Sequence, residues 1–364
     1  MLESSSVAEW QLIGQLVEDL QQLPDVHAHL HEGETSNQGS TDHDAQIDLR
    51  VAGKDFVLLI EAKRAVYPRD AREVVWHFRE LRHGDTNDHG GERLRLLIAE
   101  SISPGAKELL REERVGYYDS GGSLYLPAPE AYLYIDKPPP KALEKSARSL
   151  FSGRRAQVLH ALLMQHRDWF GVKDVADRAM VSPSTASQVM TELDRFDWVK
   201  SRGQGPTKER QLIEPAALLD TWAKQVAASR PPKLRRYFVP AAKAEMLPAL
   251  FDEACELNDA MYAVTHEAAA QRYSPFLSSV SQVRARLWMG PNAQAALGSL
   301  DARIVSEGAN LSILAVSSPG ELLFRERVDG VTLASPVQVY LDLLQGEGRA
   351  KEMAEHLRRE KIDF

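Results

Sequence analysis

Three consecutive prolines, Pro138-Pro139-Pro140, constrain this chain more than any other feature. Proline fixes φ and has no N–H to donate, so such a run fits neither a helix interior nor a central strand. It must be a connector. Arg230-Pro231-Pro232 makes a second break of the same kind. The two cuts divide the 364 residues into segments 1–140, 141–232 and 233–364, a length that suits two or three domains. No internal repeat or low-complexity tract is visible in the sequence.

With 43% hydrophobic and 26% charged residues, the chain has the composition of a soluble protein able to build several cores. Its longest apolar run, Phe56-Val57-Leu58-Leu59-Ile60, is far short of the roughly 20 residues a membrane helix needs. Met1-Leu2-Glu3-Ser4-Ser5-Ser6 has no basic region followed by an apolar stretch, so no secretory signal is read. The lone cysteine, Cys255, forbids an intrachain disulfide and reads as a small buried apolar residue. The expectation is a cytoplasmic protein with no membrane partner.

The formal charge of −8 argues at first against nucleic acid. Its distribution does not, because Lys141 to Arg230 carries 15 Lys and Arg against 10 Asp and Glu. A locally basic module can neutralise phosphates within an acidic protein. The pattern in that segment is specific. Val158, Leu159, Leu162 and Leu163 make a helical stripe over Arg154 to Gln165, followed by two shorter helices, Val172 to Ala179 and Pro183 to Phe196. Ser182 is a good N-cap and Pro183 a good first helical residue. Ser184, Thr185, Ser187 and Gln188 then open the second helix with short polar side chains suited to a major groove. Two strands follow, around the glycine-rich Gly203-Gln204-Gly205, with Lys200, Arg202, Lys208 and Arg210 on their flanks. Helix, helix-turn-helix and basic hairpin in this order predict a winged helix-turn-helix on double-stranded DNA, needing no cofactor. Winged helices also serve as protein–protein modules, and the basic hairpin favours DNA.

The first segment reads as a helix (Val7 to Leu23), strands Gln46 to Val51 and Phe56 to Ala62, a helix from Pro68 to Leu81, and a strand Arg95 to Ala99. A helix Pro104 to Glu112 and a hairpin, Val115 to Tyr118 with Ser123 to Leu126, complete it. Glu61 and Lys63 lie two apart and share a strand face, and Asp48 on the neighbouring strand can reach that face. Two carboxylates beside a lysine can hold Mg²⁺ and position a water for phosphodiester cleavage. This α-β-β-β-α-β order with Asp48 and Glu61-Ala62-Lys63 resembles the PD-(D/E)XK nuclease superfamily over about Val7 to Ile102. The resemblance implies Asp48 and Glu61 as ligands of Mg²⁺ or Mn²⁺ and Lys63 as the water-orienting cation, with Glu9 or Glu18 as the helix acid some members use. Ile47 stands where the family's proline precedes the first acid. His27-Ala28-His29-Leu30-His31 puts three imidazoles on one strand face, more simply a polar face than a metal site. His83 and His89 fall in a surface loop.

The third segment reads as mixed α/β with no phosphate loop or catalytic triad, ending in a helix capped by Ser335-Pro336 and a final helix from Glu347 to Arg359. Its stretch from Val339-Tyr340-Leu341-Asp342 to Ala354-Glu355, with Met261-Tyr262-Ala263-Val264-Thr265-His266-Glu267-Ala268-Ala269, resembles AbiEi-type antitoxins of type IV toxin–antitoxin systems. Together with the middle segment the resemblance spans about Lys141 to Phe364. It implies a regulator that represses its own operon and is partnered by a nucleotidyltransferase-like toxin. Because one winged helix contacts too few base pairs to find an operator alone, the expectation is a homodimer on DNA, or two monomers on repeated half-sites. The chain departs from that family by carrying the nuclease-like segment in front. The expectation is therefore a DNA-binding regulator of α/β multidomain build, with a Mg²⁺-dependent endonuclease as the alternative.

Overall fold

The computed structural model describes residues 2–31, 43–82, 92–128, 131–140, 149–240, 243–276, 280 and 282–364. The loop with His83 and His89 lies outside them. The chain is a mixed α/β protein that divides into two compact units, Met1–Ala147 with Glu192–Asp197, and Arg148–Thr191 with Trp198–Phe364. No described helix is long and apolar enough to cross a membrane.

The first unit is built on a seven-stranded sheet in sequential order. It runs α1 (Leu2–Gln21), β1 (Val26–Leu30), β2 (Ala45–Val51), β3 (Lys54–Val66), α2 (Pro68–Arg82), β4 (Glu92–Ile102), α3 (Pro104–Glu112), β5 (Gly116–Asp119), β6 (Leu124–Ala128) and β7 (Ala131–Ile135). Strands β3, β4 and β5 are parallel, which requires the α2 and α3 crossovers, and the other pairs are antiparallel. Alternation along the strands sorts the residues into two cores. Leu12, Ile13, Leu16 and Leu20 of α1 pack on Ile47, Leu49, Leu58, Ile60, Leu96 and Ile98. Val74, Val75 and Phe78 of α2, with Ala106 and Leu110 of α3, pack on Leu97, Ala99 and Tyr117 on the other face. Each of the buried Leu, Ile, Val and Phe side chains contributes on the order of 1.5–3 kcal/mol relative to leaving it in water.

Ala52 and Gly53 join β2 to β3, both with positive φ (49° and 80°), as a tight two-residue hairpin turn demands. That turn fixes the register, with Val51 opposite Lys54, Asp48 opposite Val57 and Ala45 opposite Ile60.

The second unit begins with α4 (Gly153–Met164), α5 (Val172–Arg178) and α6 (Pro183–Arg195) as far as Thr191. The Ser182 hydroxyl caps α6 by accepting from the Thr185 N–H at 3.2 Å, and Pro183 fills the first helical position. Ala186, Val189, Met190 and Leu193, spaced three and four apart, form its buried face. A hairpin follows, β8 (Val199–Arg202) and β9 (Glu209–Leu212), and Phe170 bridges to Arg210 beside it. Gly203 at the tip has φ 73°, and a Cβ there would meet the Thr207 carbonyl oxygen at 2.5 Å, so only glycine fits.

Helix α7 (Pro215–Ala228) leads past Pro231-Pro232 into β10 (Leu234–Phe238), an edge-proximal strand that alternation alone does not announce. The remaining elements are α8 (Leu247–Leu257), β11 (Tyr262–Thr265), α9 (His266–Tyr273), β12 (Val283–Trp288), α10 (Pro291–Ser299), β13 (Arg303–Ile304), β14 (Leu311–Val316), β15 (Glu326–Val328), β16 (Val331–Leu333), α11 (Pro336–Leu343) and α12 (Ala350–Leu357). They form a second seven-stranded sheet, ordered β13-β10-β14-β12-β11-β16-β15. Cys255 of α8 is fully buried, and burial pushes its thiol up to about 12, so it behaves as an apolar residue.

His160 of α4 ties the helical part of this unit to its sheet part. It is buried, its Nε2 lies 2.6 Å from the Ser335 hydroxyl, and Ser335 itself caps α11. Burial, aided by the Arg286 charge and opposed by Asp342, pushes the imidazole down to about 4. The folded protein therefore keeps His160 neutral where the unfolded chain takes up a proton, and stability present above the unfolded value of 6.5 is lost as pH falls towards 4. The loss from this group is about 3 kcal/mol, and His266, also lowered, adds in the same direction. Urea unfolding followed from pH 7 to pH 4 should show a steep decline that His160→Gln flattens by about one proton. An identical pH slope in the variant would show that His160 titrates normally.

Candidate functional sites

The exposed face of α6 is polar. Ser184, Ser187, Gln188 and Thr191 are exposed at helical spacing, so they form one stripe. Thr185 differs from its expected role, because it is half-buried and its hydroxyl lies 2.9 Å from that of Ser182, which makes it part of the cap. Thr191 was legible from periodicity once the helix boundaries were known.

On the hairpin, Lys200 and Arg202 are exposed and both lie over the indole of Trp169, at 5.3 and 4.2 Å from the ring centroid. Arg202 also pairs with Glu209 across the hairpin at 2.6 Å. Stacking of this kind holds a cation in place without removing it from solvent. Lys208 is half-buried. Arg210 departs from the expectation altogether. It is only 7% exposed, at the bridge to Phe170, so it packs the hairpin base and is not presented to a phosphate.

The nuclease-like constellation is only partly assembled. Glu61 and Lys63 lie together, 2.9 Å apart, in a cleft between β3 and α2 that Asp70, Glu73 and His77 also line. Burial works to lower the Lys63 ammonium, but Glu61, Asp44 and Glu73 outweigh it and raise it. The second oxygen of Glu61 is buried with no hydrogen-bond partner. Asp48 is elsewhere. The register puts it opposite Val57, four residues from Glu61 along the sheet, or about 13 Å at the usual rise per residue. There it meets His31 at 3.1 Å, beside His27 and His29, on an open face of β1 and β2.

The carboxylate that does reach Glu61 is Asp44. Its N–H donates to the Ile60 carbonyl at 2.7 Å and its Oδ2 accepts from the Ala62 N–H at 2.7 Å. Counting residues back from the turn at Ala52-Gly53 would have found it. Helix α1, with Glu9 and Glu18, packs on the opposite face of the sheet from Glu61. Among the described residues no group of three or more His, Cys, Asp or Glu side chains is placed to hold a metal ion, the three strand histidines included.

The second sheet holds a buried polar cluster around Asp342 of α11. Arg286 of β12 grips it with two hydrogen bonds, 2.9 and 2.5 Å, while Thr265 at 2.5 Å and Gln338 at 2.9 Å donate to it as well. Burial works to raise the Asp342 carboxyl, but Arg286 above all, with His266 and Thr265, holds it below the usual carboxylate value. Every lone pair is engaged, the condition under which a buried ion pair is tolerated.

Residues 211–363, less than half the chain, match a family of transcriptional regulators. More narrowly, the family is described as AbiEi antitoxins of type IV toxin–antitoxin systems, and the match runs from the second hairpin strand to the last turn of the chain. No curated protein and no solved structure matches the chain.

Removing one partner of the Asp342 pair strands the other. Asp342→Ala should therefore destabilise the second unit by about 3–5 kcal/mol, whereas Glu352→Ala, which breaks the exposed pair with Arg349, should cost less than about 1 kcal/mol. Chemical denaturation compares the two, and equal losses would contradict the central place given to Asp342.

Proposed function

We propose that this protein is a DNA-binding transcriptional regulator of the AbiEi antitoxin type, which docks on operator DNA through a winged helix-turn-helix formed by α4 to β9. The observation that carries the reading is the pairing of an exposed polar stripe on α6 with a hairpin whose two exposed cations are held over Trp169. The stripe suits base edges in a major groove, and the cations suit the sugar-phosphate backbone beside it. The family match supports regulation and a toxin partner. In our reading the partner is a nucleotidyltransferase-like toxin encoded in the same operon, and the protein represses that operon as a homodimer on two half-sites, since one module contacts too few base pairs to find an operator alone. DNA binding needs no cofactor.

Binding to the region upstream of its own gene, measured by fluorescence anisotropy over a range of salt, tests this. Lys200→Ala and Arg202→Ala should each weaken binding to all sequences and reduce the log–log salt slope by about one. Gln188→Ala and Ser187→Ala should instead lower the preference for operator over random DNA. Arg210→Ala should reduce stability and leave the salt slope alone. A slope unchanged by the hairpin variants would remove the hairpin from the interface.

The orphaned oxygen of Glu61 supports a second reading, a PD-(D/E)XK-type unit that binds Mg²⁺ or Mn²⁺. Asp44 and Glu61 fit such an ion as a two-carboxylate set, with water completing the shell, as Mg²⁺ commonly prefers. Lys63 would orient a water for phosphodiester cleavage. On this reading calorimetry with the full chain gives weak Mn²⁺ binding that Asp44→Asn and Glu61→Gln each abolish and Asp48→Asn leaves intact. Lys63→Ala should remove any cleavage while metal binding survives. A flat titration of the folded protein would leave the first unit without a metal function.

A further inference from the structure

The second sheet carries a pocket that the DNA-binding reading does not use. Arg236 of β10, Ser312 of β14, Arg284 of β12 and Thr265 of β11 are register partners in turn, one row across four adjacent strands. A cavity of about 590 Å³ opens over this row, a size that fits a small organic ligand. His266, Arg284, Arg236, Lys233, Gln282 and Ser312 are among its walls.

Two wall groups are incomplete. His266 is only 6% exposed, yet its Nδ1 is buried with no hydrogen-bond partner. The Arg284 Nε is buried and unpartnered in the same way, although its Nη1 lies 3.3 Å from Glu267. Leaving such a polar group unsatisfied costs folding free energy, and a ligand that accepts from it recovers that energy. Both groups sit where β11 gives way to α9, a helix of eight residues beginning at His266. The first N–H groups of a helix are themselves donors with no partner inside the helix. His266 also holds φ at 54°, a left-handed conformation that a non-glycine residue keeps only when its surroundings impose it.

The charges of the pocket sort into two levels. On the floor, the Asp342 carboxylate is matched by Arg286 from behind the wall and Arg284 is matched by Glu267, so the orphaned nitrogens add donors without a large net field. At the rim, Lys233 and Arg236 are exposed cations, while Glu307 and Glu347 are exposed carboxylates able to accept from hydroxyl groups. We infer that the pocket binds a small ligand in which a phosphate or comparable oxyanion is joined to a hydroxyl-bearing body, the chemistry of nucleoside phosphates and sugar phosphates. The oxyanion lies along the Arg236–Ser312–Arg284 row and takes the free Arg284 Nε–H and His266 ring nitrogen, and the body faces the rim carboxylates.

Calorimetric titration of the full chain with adenosine 5′-monophosphate, ribose 5-phosphate, inorganic phosphate and adenosine tests this without reference to DNA. At least one of the two phosphorylated compounds should bind about tenfold or more tightly than either inorganic phosphate or adenosine. Arg284→Gln and Arg236→Ala should each weaken that binding about tenfold. If Arg284→Gln fails to fold on releasing Glu267, the exposed Arg236→Ala and Lys233→Ala decide. No binding of either phosphorylated compound at millimolar concentration, adenosine binding equally well, or full affinity in the rim variants would overturn the inference.

Discussion

The second unit turns on one buried ion pair. Arg286 projects from a strand whose alternate residues, Val283, Ala285 and Leu287, fill the core, so its guanidinium falls on the opposite face under α11. Asp342 meets it there, and Thr265 and Gln338 complete the shell. A charge this deeply buried is tolerated only with full pairing, so the pair fixes where α11 lies on the sheet. Ser335, the cap of α11, then receives His160 from α4. Helix α4 is thus joined by a hydrogen bond to the segment that matches the regulator family.

This arrangement gives the helical part of the second unit a fixed base. The face of α6 that packs inward is apolar, and the outward stripe is short, polar and uncharged. Cations are supplied instead from the hairpin, where Trp169 orders Lys200 and Arg202. Under the proposed DNA-binding function, backbone attraction and base reading fall to different elements, and the two can be perturbed separately. The same economy explains Arg210, whose place at the Phe170 bridge makes it a packing residue of the hairpin base.

Much of this could be read from the sequence, for identifiable reasons. Ser182-Pro183 marked the start of α6, Ser335-Pro336 the start of α11, and the apolar spacing in α4 and α6 gave their buried faces. Glu61 and Lys63 share a face because strands alternate, and they do meet. Parity alone points to Asp48, which is right for the face and wrong for the distance along it. The turn sets that distance, and it selects Asp44. The Asp342 cluster and the pocket beside it were not legible, because Thr265, Arg286 and the helix turn that carries Gln338 and Asp342 are far apart in the chain and only the fold of the sheet brings them together. Arg210 has the sequence pattern of a surface cation, and its burial depends on Phe170, 40 residues earlier in the numbering.

The central claim is that the helix-turn-helix and its hairpin recognise a particular DNA sequence. Footprinting of the wild-type protein on the region upstream of its own gene, with excess random DNA present, tests it most directly. The account predicts saturable protection of two half-sites about one helical turn apart, or a multiple of that spacing, at protein concentrations that leave random DNA unprotected. Equal protection of every sequence, or none at low salt, would contradict it.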